Sequence, residues 1–93
     1  MASVGAKIRV SGMVQGVGYR YFCYQKAISF GLVGWVRNDA DGTVTAGIEG
    51  ERALIESLIE VLEAGPPASS VSEVAVQWVE FTGSFQSFDI THP

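Results

Sequence analysis

Gly12-Met13-Val14-Gln15-Gly16-Val17-Gly18-Tyr19-Arg20 separates two runs of different periodicity. Before it, residues 7–14 alternate: Ile8, Val10 and Gly12 point one way, Lys7, Arg9 and Ser11 the other. That is the pattern of a half-buried strand. After it, Phe22, Cys23, Ala27 and Phe30 recur at helical spacing over Tyr21 to Phe30, and Gly31 suits the position just past a helix end. The stretch between them is therefore a strand-to-helix turn. Three of its nine residues are glycine and it closes on an arginine. Such a turn can direct several backbone N–H groups inward, next to the positive end of a helix and one guanidinium. The combination suits a small anion, and a phosphoryl group in particular.

Downstream, Leu32 to Asn38 reads as a second strand with Val33, Trp35 and Val36 as its bulky members. Asp39-Ala40-Asp41-Gly42 is a turn. Thr43 to Glu49 alternates again, with Val44, Ala46 and Ile48 inward, so the two strands form a hairpin. Glu51 to Ala64 has an apolar stripe of Leu54, Ile55, Leu58, Ile59 and Leu62, and Gly65-Pro66-Pro67 stops that helix. Val71 to Phe81 is a strand with Val74, Val76 and Trp78 inward. Thr82-Gly83-Ser84 is a turn, and Phe85 to Thr91 a short last strand. The order predicts an α+β, ferredoxin-like (split βαβ) fold: an antiparallel sheet with two helices on one face, βαββαβ plus a short C-terminal strand.

At 93 residues the chain suits one domain over residues 1–93, with one core. Hydrophobic residues are 47% and charged residues 17%, a globular rather than a disordered composition. No apolar run is long enough to span a bilayer, and the start has neither the basic nor the apolar segment of a secretory signal. Cys23 is the lone cysteine, so an internal disulfide is excluded and a reducing, cytoplasmic location is expected. Net charge is −4, but residues before 38 carry +5 and those from 38 onward −9. An acidic chain argues against nucleic acid as a partner. The basic first section could steer a small anion, or the asymmetry could simply reflect one acidic, solvated helix.

Glycines alone do not separate a phosphate cradle from a turn in which they serve only backbone geometry. A Walker loop would need a lysine followed by serine or threonine, which is missing. A dinucleotide fingerprint would need its third glycine where Tyr21 stands, and the hairpin that follows is the wrong topology. Arg20 favours the anion site. A cation at a helix N-terminus opposes the dipole by a few tenths of a kcal/mol. A bound dianion reverses that penalty and accepts a two-pronged contact. No acid precedes Asp39, so Arg20 has no local carboxylate partner. Asn38, taken alone, is a strand-end asparagine satisfying the hairpin turn.

The run Gly12 to Arg20, followed by Gly34-Trp35-Val36-Arg37-Asn38, then Gly42, Val44 and Gly50, resembles the acylphosphatase family. Phe88-Asp89-Ile90 is similar to that family's C-terminal strand, so the resemblance spans essentially the whole chain. It implies hydrolysis of the carboxyl-phosphate anhydride of an acyl phosphate to a carboxylate and inorganic phosphate, with no metal and no cofactor. Arg20 would bind the phosphoryl oxygens, and Asn38 would orient the attacking water. Gln15, Gly16, Val17, Gly18, Tyr19 and Arg20 would form the substrate-binding cradle. The partner expected is the small-molecule substrate, with no nucleic acid or membrane, and the chain is expected to act as a monomer. Acyl phosphates carry a good leaving group, so positioning and charge stabilisation suffice.

The remaining reactive side chains offer less. His92, near the C-terminus, reads as a frayed or surface residue. Cys23 reads as a small core residue, and Trp35 and Trp78 as core packing. Asp39 and Asp41 place two acids beside the proposed water site, which would weaken binding of highly anionic substrates. A non-catalytic anion-binding module on the same fold stays open, since fold does not fix function. RNA recognition is disfavoured, because the first and third strands lack aromatics for base stacking. Similar domains within larger maturation enzymes are a further alternative.

Overall fold

In the computed structural model, residues 2–92 are described. They form, in chain order, β1 (Ser3–Met13), α1 (Tyr19–Ser29), β2 (Val33–Asn38), β3 (Val44–Glu51), α2 (Arg52–Ala64), β4 (Ser70–Val79) and β5 (Phe88–Ile90). The strands lie in the order β4-β1-β3-β2-β5. The two βαβ units are interleaved, which is the ferredoxin-like arrangement expected.

Register fixes the two faces. Ile8 sits opposite Ala46 and Val76, Val10 opposite Val44 and Val74, and Val36 opposite Ala46. Directly paired residues share a face, so these side chains make one apolar surface. Ile55, Leu58 and Leu62 of α2 and Tyr19, Cys23 and Ala27 of α1 bury against it. Each helix contributes a stripe at i, i+3/i+4 spacing, as an amphipathic helix on a sheet must. Helix α1 ends in a Schellman motif: Gly31 N–H donates to Ile28 C=O and Leu32 N–H to Ala27 C=O, both at 2.9 Å.

Three expectations need correction. The sheet is mixed, because β5 pairs with β2 in parallel, Gly34 with Phe88 and Val36 with Ile90. Residues 82–84 therefore do not turn the chain back on β4. The 80–87 segment carries it from one sheet edge to the other. The buried Glu49 on β3 anchors that passage, accepting from Thr82 N–H at 2.9 Å, Thr82 Oγ1 at 2.7 Å and Gly83 N–H at 3.1 Å. Burial works against its charge, but these bonds outweigh burial and hold the carboxyl below the usual range. Secondly, Gly12 is an exposed strand residue beside a β-bulge rather than part of the turn. A Cβ there would run into the β4 backbone at Ser70 and Ser72. Thirdly, Trp35 does not join the core. It lies on the helix-free face, over Gly47, with the Arg37 guanidinium 4.9 Å from its ring centre. Trp78 points inward as expected, capped by Arg52 at 4.1 Å.

Candidate active site

The turn proper is residues 14–18, between the end of β1 and the start of α1. Val14 is buried at its entrance and fixes it to the core. Gly16 and Gly18 have φ of 73° and 79°, and a Cβ at either would meet nothing within 4 Å. Their requirement is conformational: left-handed residues in alternation with ordinary ones fold N–H groups to one side of a turn. Gly18 is the N-cap of α1 and provides no side-chain cap. The first helical bond recorded is Phe22 N–H to Gly18 C=O at 3.0 Å. The N–H groups of Tyr19, Arg20 and Tyr21 precede that ladder and are left to a ligand or solvent.

These groups open on a cavity of about 210 Å³ lined by Gly16, Gly18, Arg20, Asn38, Ile90 and His92, among others. Arg20 forms no salt bridge among the described residues, and the first turn of α1 has no acid. Asn38 ends β2 on the helix-facing side, opposite Val44. Its Oδ1 is the buried side-chain polar atom that, among the described residues, has no hydrogen-bond partner. A buried acceptor left unpaired costs about 1–3 kcal/mol, which sets Asn38 apart from the other buried polar side chains described.

Of the six cradle residues expected, Gly16, Gly18, Tyr19 and Arg20 line the cavity, and Gln15 and Val17 do not. Val17 packs on the core. Gln15 reaches away from the turn: Nε2 donates to Asp39 C=O at 2.7 Å and to Thr43 C=O at 2.9 Å. It ties the glycine turn to the hairpin that begins just after Asn38. Tyr19 contributes only its backbone. Its side chain is buried and the phenol donates to Leu62 C=O of α2 at 2.7 Å. Burial, and secondarily the nearby Cys23, pushes that phenol well above its ordinary range.

His92 is exposed and lies past β5, a surface residue as expected, but it also stands in the cavity wall, with Nδ1 3.4 Å from Arg20 Nη1. The β2–β5 register carries it there: Val36 pairs with Ile90, so two residues further on Asn38 is neighboured by His92. A sequence signal exists in that equal spacing, but only once the parallel pairing is known. The hairpin acids are not aimed at the water site. Asp39 accepts from Arg37 Nε at 3.1 Å, Thr43 Oγ1 at 2.8 Å and Thr45 Oγ1. Partial burial disfavours its charge, but bonds from Thr45, Thr43 and Arg37 outweigh this and hold it below the usual range. Asp41 shares the single Thr43 hydroxyl proton with Asp39, its Oδ1 2.7 Å from Thr43 Oγ1, and accepts from the Thr43 N–H at 3.1 Å; these contacts hold it low as well. Neither acid lines the cavity.

The acylphosphatase family profile matches residues 6–90. The chain is 55% identical over 84 residues to an acylphosphatase of Acaryochloris marina, covering 90% of this chain and 89% of that one. It is 43% identical over 90 residues to an acylphosphatase of Pelotomaculum thermopropionicum, covering 97% and 98%. The crystal structure of acylphosphatase from Bacillus subtilis superposes with a TM-score of 0.92 at 35% identity, over 95% of this chain and 98% of that one. A glycine turn on a helix N-terminus, an uncompensated arginine and an orphaned asparagine oxygen thus sit on a backbone shared along its whole length, and the chain belongs to the acylphosphatase family.

Proposed function

We propose that the protein hydrolyses acyl phosphates, with Arg20 and Asn38 as its catalytic residues. The observation that supports this reading is that Asn38, whose buried Oδ1 has no partner among the described residues, lines the same cavity as Arg20. An acceptor in that position suits a water molecule, which donates one O–H to it and directs an oxygen lone pair at a phosphorus atom seated in the turn. The phosphoryl oxygens take N–H groups of residues 15–20 and the Arg20 guanidinium, whose charge the helix N-terminus reinforces. The water oxygen bonds to phosphorus, and the bond from phosphorus to the acyl oxygen breaks. Its electron pair leaves with the carboxylate, and both water protons end on inorganic phosphate. Positioning and charge stabilisation carry the rate, and no protein nucleophile takes part.

Gln15 and Val17 act in this reading through backbone position, with the Gln15 amide holding the turn against the hairpin. The reading extends to a metal- and cofactor-free reaction by a single-domain monomer in the cytoplasm, with neither nucleic acid nor membrane as an obligate partner. The free, buried Cys23 supports the reducing compartment. No helix among the described residues is long and apolar enough to cross a membrane.

The test is benzoyl phosphate hydrolysis in chelator by wild type, Arg20→Ala and Asn38→Ala. Arg20→Ala is expected to lose phosphate binding and turnover together, by about 10²–10³-fold in rate. Asn38→Ala is expected to lose turnover while inorganic phosphate still inhibits competitively when measured against residual activity. Retained activity in Arg20→Ala, or a requirement for added magnesium, overturns the mechanism. Wild-type protein that binds phosphate without turnover would be an anion-binding module instead.

A further inference from the structure

The basic excess of the first 37 residues is not spent on the catalytic cavity. Of Lys7, Arg9, Arg20, Lys26 and Arg37, Arg20 alone lines it. Lys7, Arg9 and Arg37 project from the opposite, helix-free face of the sheet, where they line a separate groove of about 390 Å³ with Thr45 and Gln77. Half of the basic residues of a chain with net charge −4 therefore line one concavity, where Asp39 pairs with Arg37 and leaves Lys7 and Arg9 without a salt bridge among the described residues. Collecting like charges raises the self-energy of the folded state, and an anion in the groove relieves it.

The groove is organised as well as charged. Arg37 is held by Asp39 through Nε at 3.1 Å and stacked on Trp35, and among the described residues its side chain makes no other hydrogen bond. Its outer guanidinium edge is thus preset for an incoming oxyanion. Thr45, buried between Arg9 and Arg37 in register, is fixed by Asp39. Lys7 and Arg9 make no salt bridge among the described residues and are exposed. Along β1 they are two residues apart, about 7 Å, and Arg37 stands two strands away, about 9–10 Å. A lone phosphate meets one or two of these cations, whereas linked phosphates offer one to each. The groove is short along the strands. Asp41 of the hairpin and Glu73, opposite Ser11, stand beyond Arg9, and Glu49 lies beyond Lys7, already bonded to Thr82 and Gly83. Acids at both ends disfavour a long polyanion and favour a compact one lying across the strands.

We propose that this groove binds a small molecule carrying two or three adjacent phosphates, at a site separate from the catalytic cavity. Asn38 and Arg37 are consecutive on β2 and present their side chains to opposite faces. The two sites therefore share one strand and can be occupied together.

The probe is inorganic tripolyphosphate, titrated calorimetrically into the full chain with orthophosphate saturating the catalytic cavity. Binding is expected in wild type, with at least tenfold loss of affinity in Lys7→Ala and in Arg9→Ala and a marked weakening as salt is raised. Both variants should melt as wild type and hydrolyse benzoyl phosphate at the wild-type rate, since neither residue lines the catalytic cavity. Unchanged affinity in both variants overturns the proposal. So does loss of binding in Arg20→Ala with Lys7→Ala and Arg9→Ala unaffected, which would place the triphosphate in the catalytic cavity. Binding of a single-stranded oligonucleotide in preference to tripolyphosphate would also overturn it.

Discussion

Tyr19→Phe separates the two jobs compressed into the glycine motif. Tyr19 is 1% exposed, and its phenol donates a 2.7 Å bond to Leu62 C=O. Leu62 lies in the last turn of α2, where carbonyls have no helical partner. Its neighbour Val61 C=O is taken by Gly65 N–H at 3.0 Å, so the phenol is what satisfies Leu62. Phenylalanine keeps the ring packing and removes the donor, leaving a buried carbonyl unpaired. The cost is about 2 kcal/mol, in the usual 1–3 kcal/mol for an orphaned buried acceptor. For a domain of this size that lowers Tm by about 8–16 °C. Thermal and urea melts measure the loss, and benzoyl phosphate kinetics at 25 °C measure the site. Turnover per folded molecule should match wild type, because the backbone N–H at position 19 is retained. The alkaline limb gives an independent check. The native phenol keeps its proton to higher pH than the unfolded one, so wild-type stability falls as pH rises above about 10.0, and Tyr19→Phe should flatten that slope. An unchanged Tm would refute the packing argument. A well-folded variant without turnover would refute the assignment of this side chain to structure.

Gln15→Ala removes both ties between the glycine turn and the hairpin, so kcat should fall about tenfold or more while the inhibition constant for phosphate changes little. Equal losses in both would place Gln15 in binding instead. Cys23 is 1% exposed and burial pushes its thiol from 9.0 up to about 12, so the unfolded chain releases this proton first. Stability should decline between pH 9 and 12 by on the order of 1 kcal/mol per pH unit, and Cys23→Ala should show a shallower decline in denaturant melts. Gly34→Ala should leave little soluble folded protein, because φ is +138° and a Cβ would overlap the Gly47 carbonyl across the β2–β3 ladder. Gly16→Ala, with open space around it, should cost only the left-handed backbone penalty of about 1–2 kcal/mol. Comparing soluble yield and Tm of the two variants tests whether close approach or conformation governs each glycine.

Most of the architecture was legible because it is written in local periodicity. Alternation at Ile8 and Val10 and the stripe from Leu54 to Leu62 each point to one buried face whatever the rest of the chain does. The ends were less legible. The first helix starts at Tyr19, two residues earlier than its apolar spacing indicates, with left-handed Gly18 as its N-cap and the Tyr19 side chain bonded to α2, a partner the local sequence does not contain. The last strand was expected in its approximate place, but not its neighbour, since a three-residue strand has no local feature that selects an edge.

The site divides the same way. Arg20 and the glycine turn stand out by residue type and by their place between a strand and a helix, and with the βαββαβ order they are read from the sequence alone, whereas Asn38 is singled out only by the family resemblance. Tertiary structure decided what surrounds them. Parallel pairing of β5 with β2 brings His92 beside Arg20. The Gln15 amide crosses to the hairpin, Asp39 turns its charge toward Arg37 and the threonines, and the cations divide between two faces of one sheet. The reason is range. Backbone conformation answers to residues within a few positions, whereas a side chain's partner depends on which distant segments the sheet sets next to it.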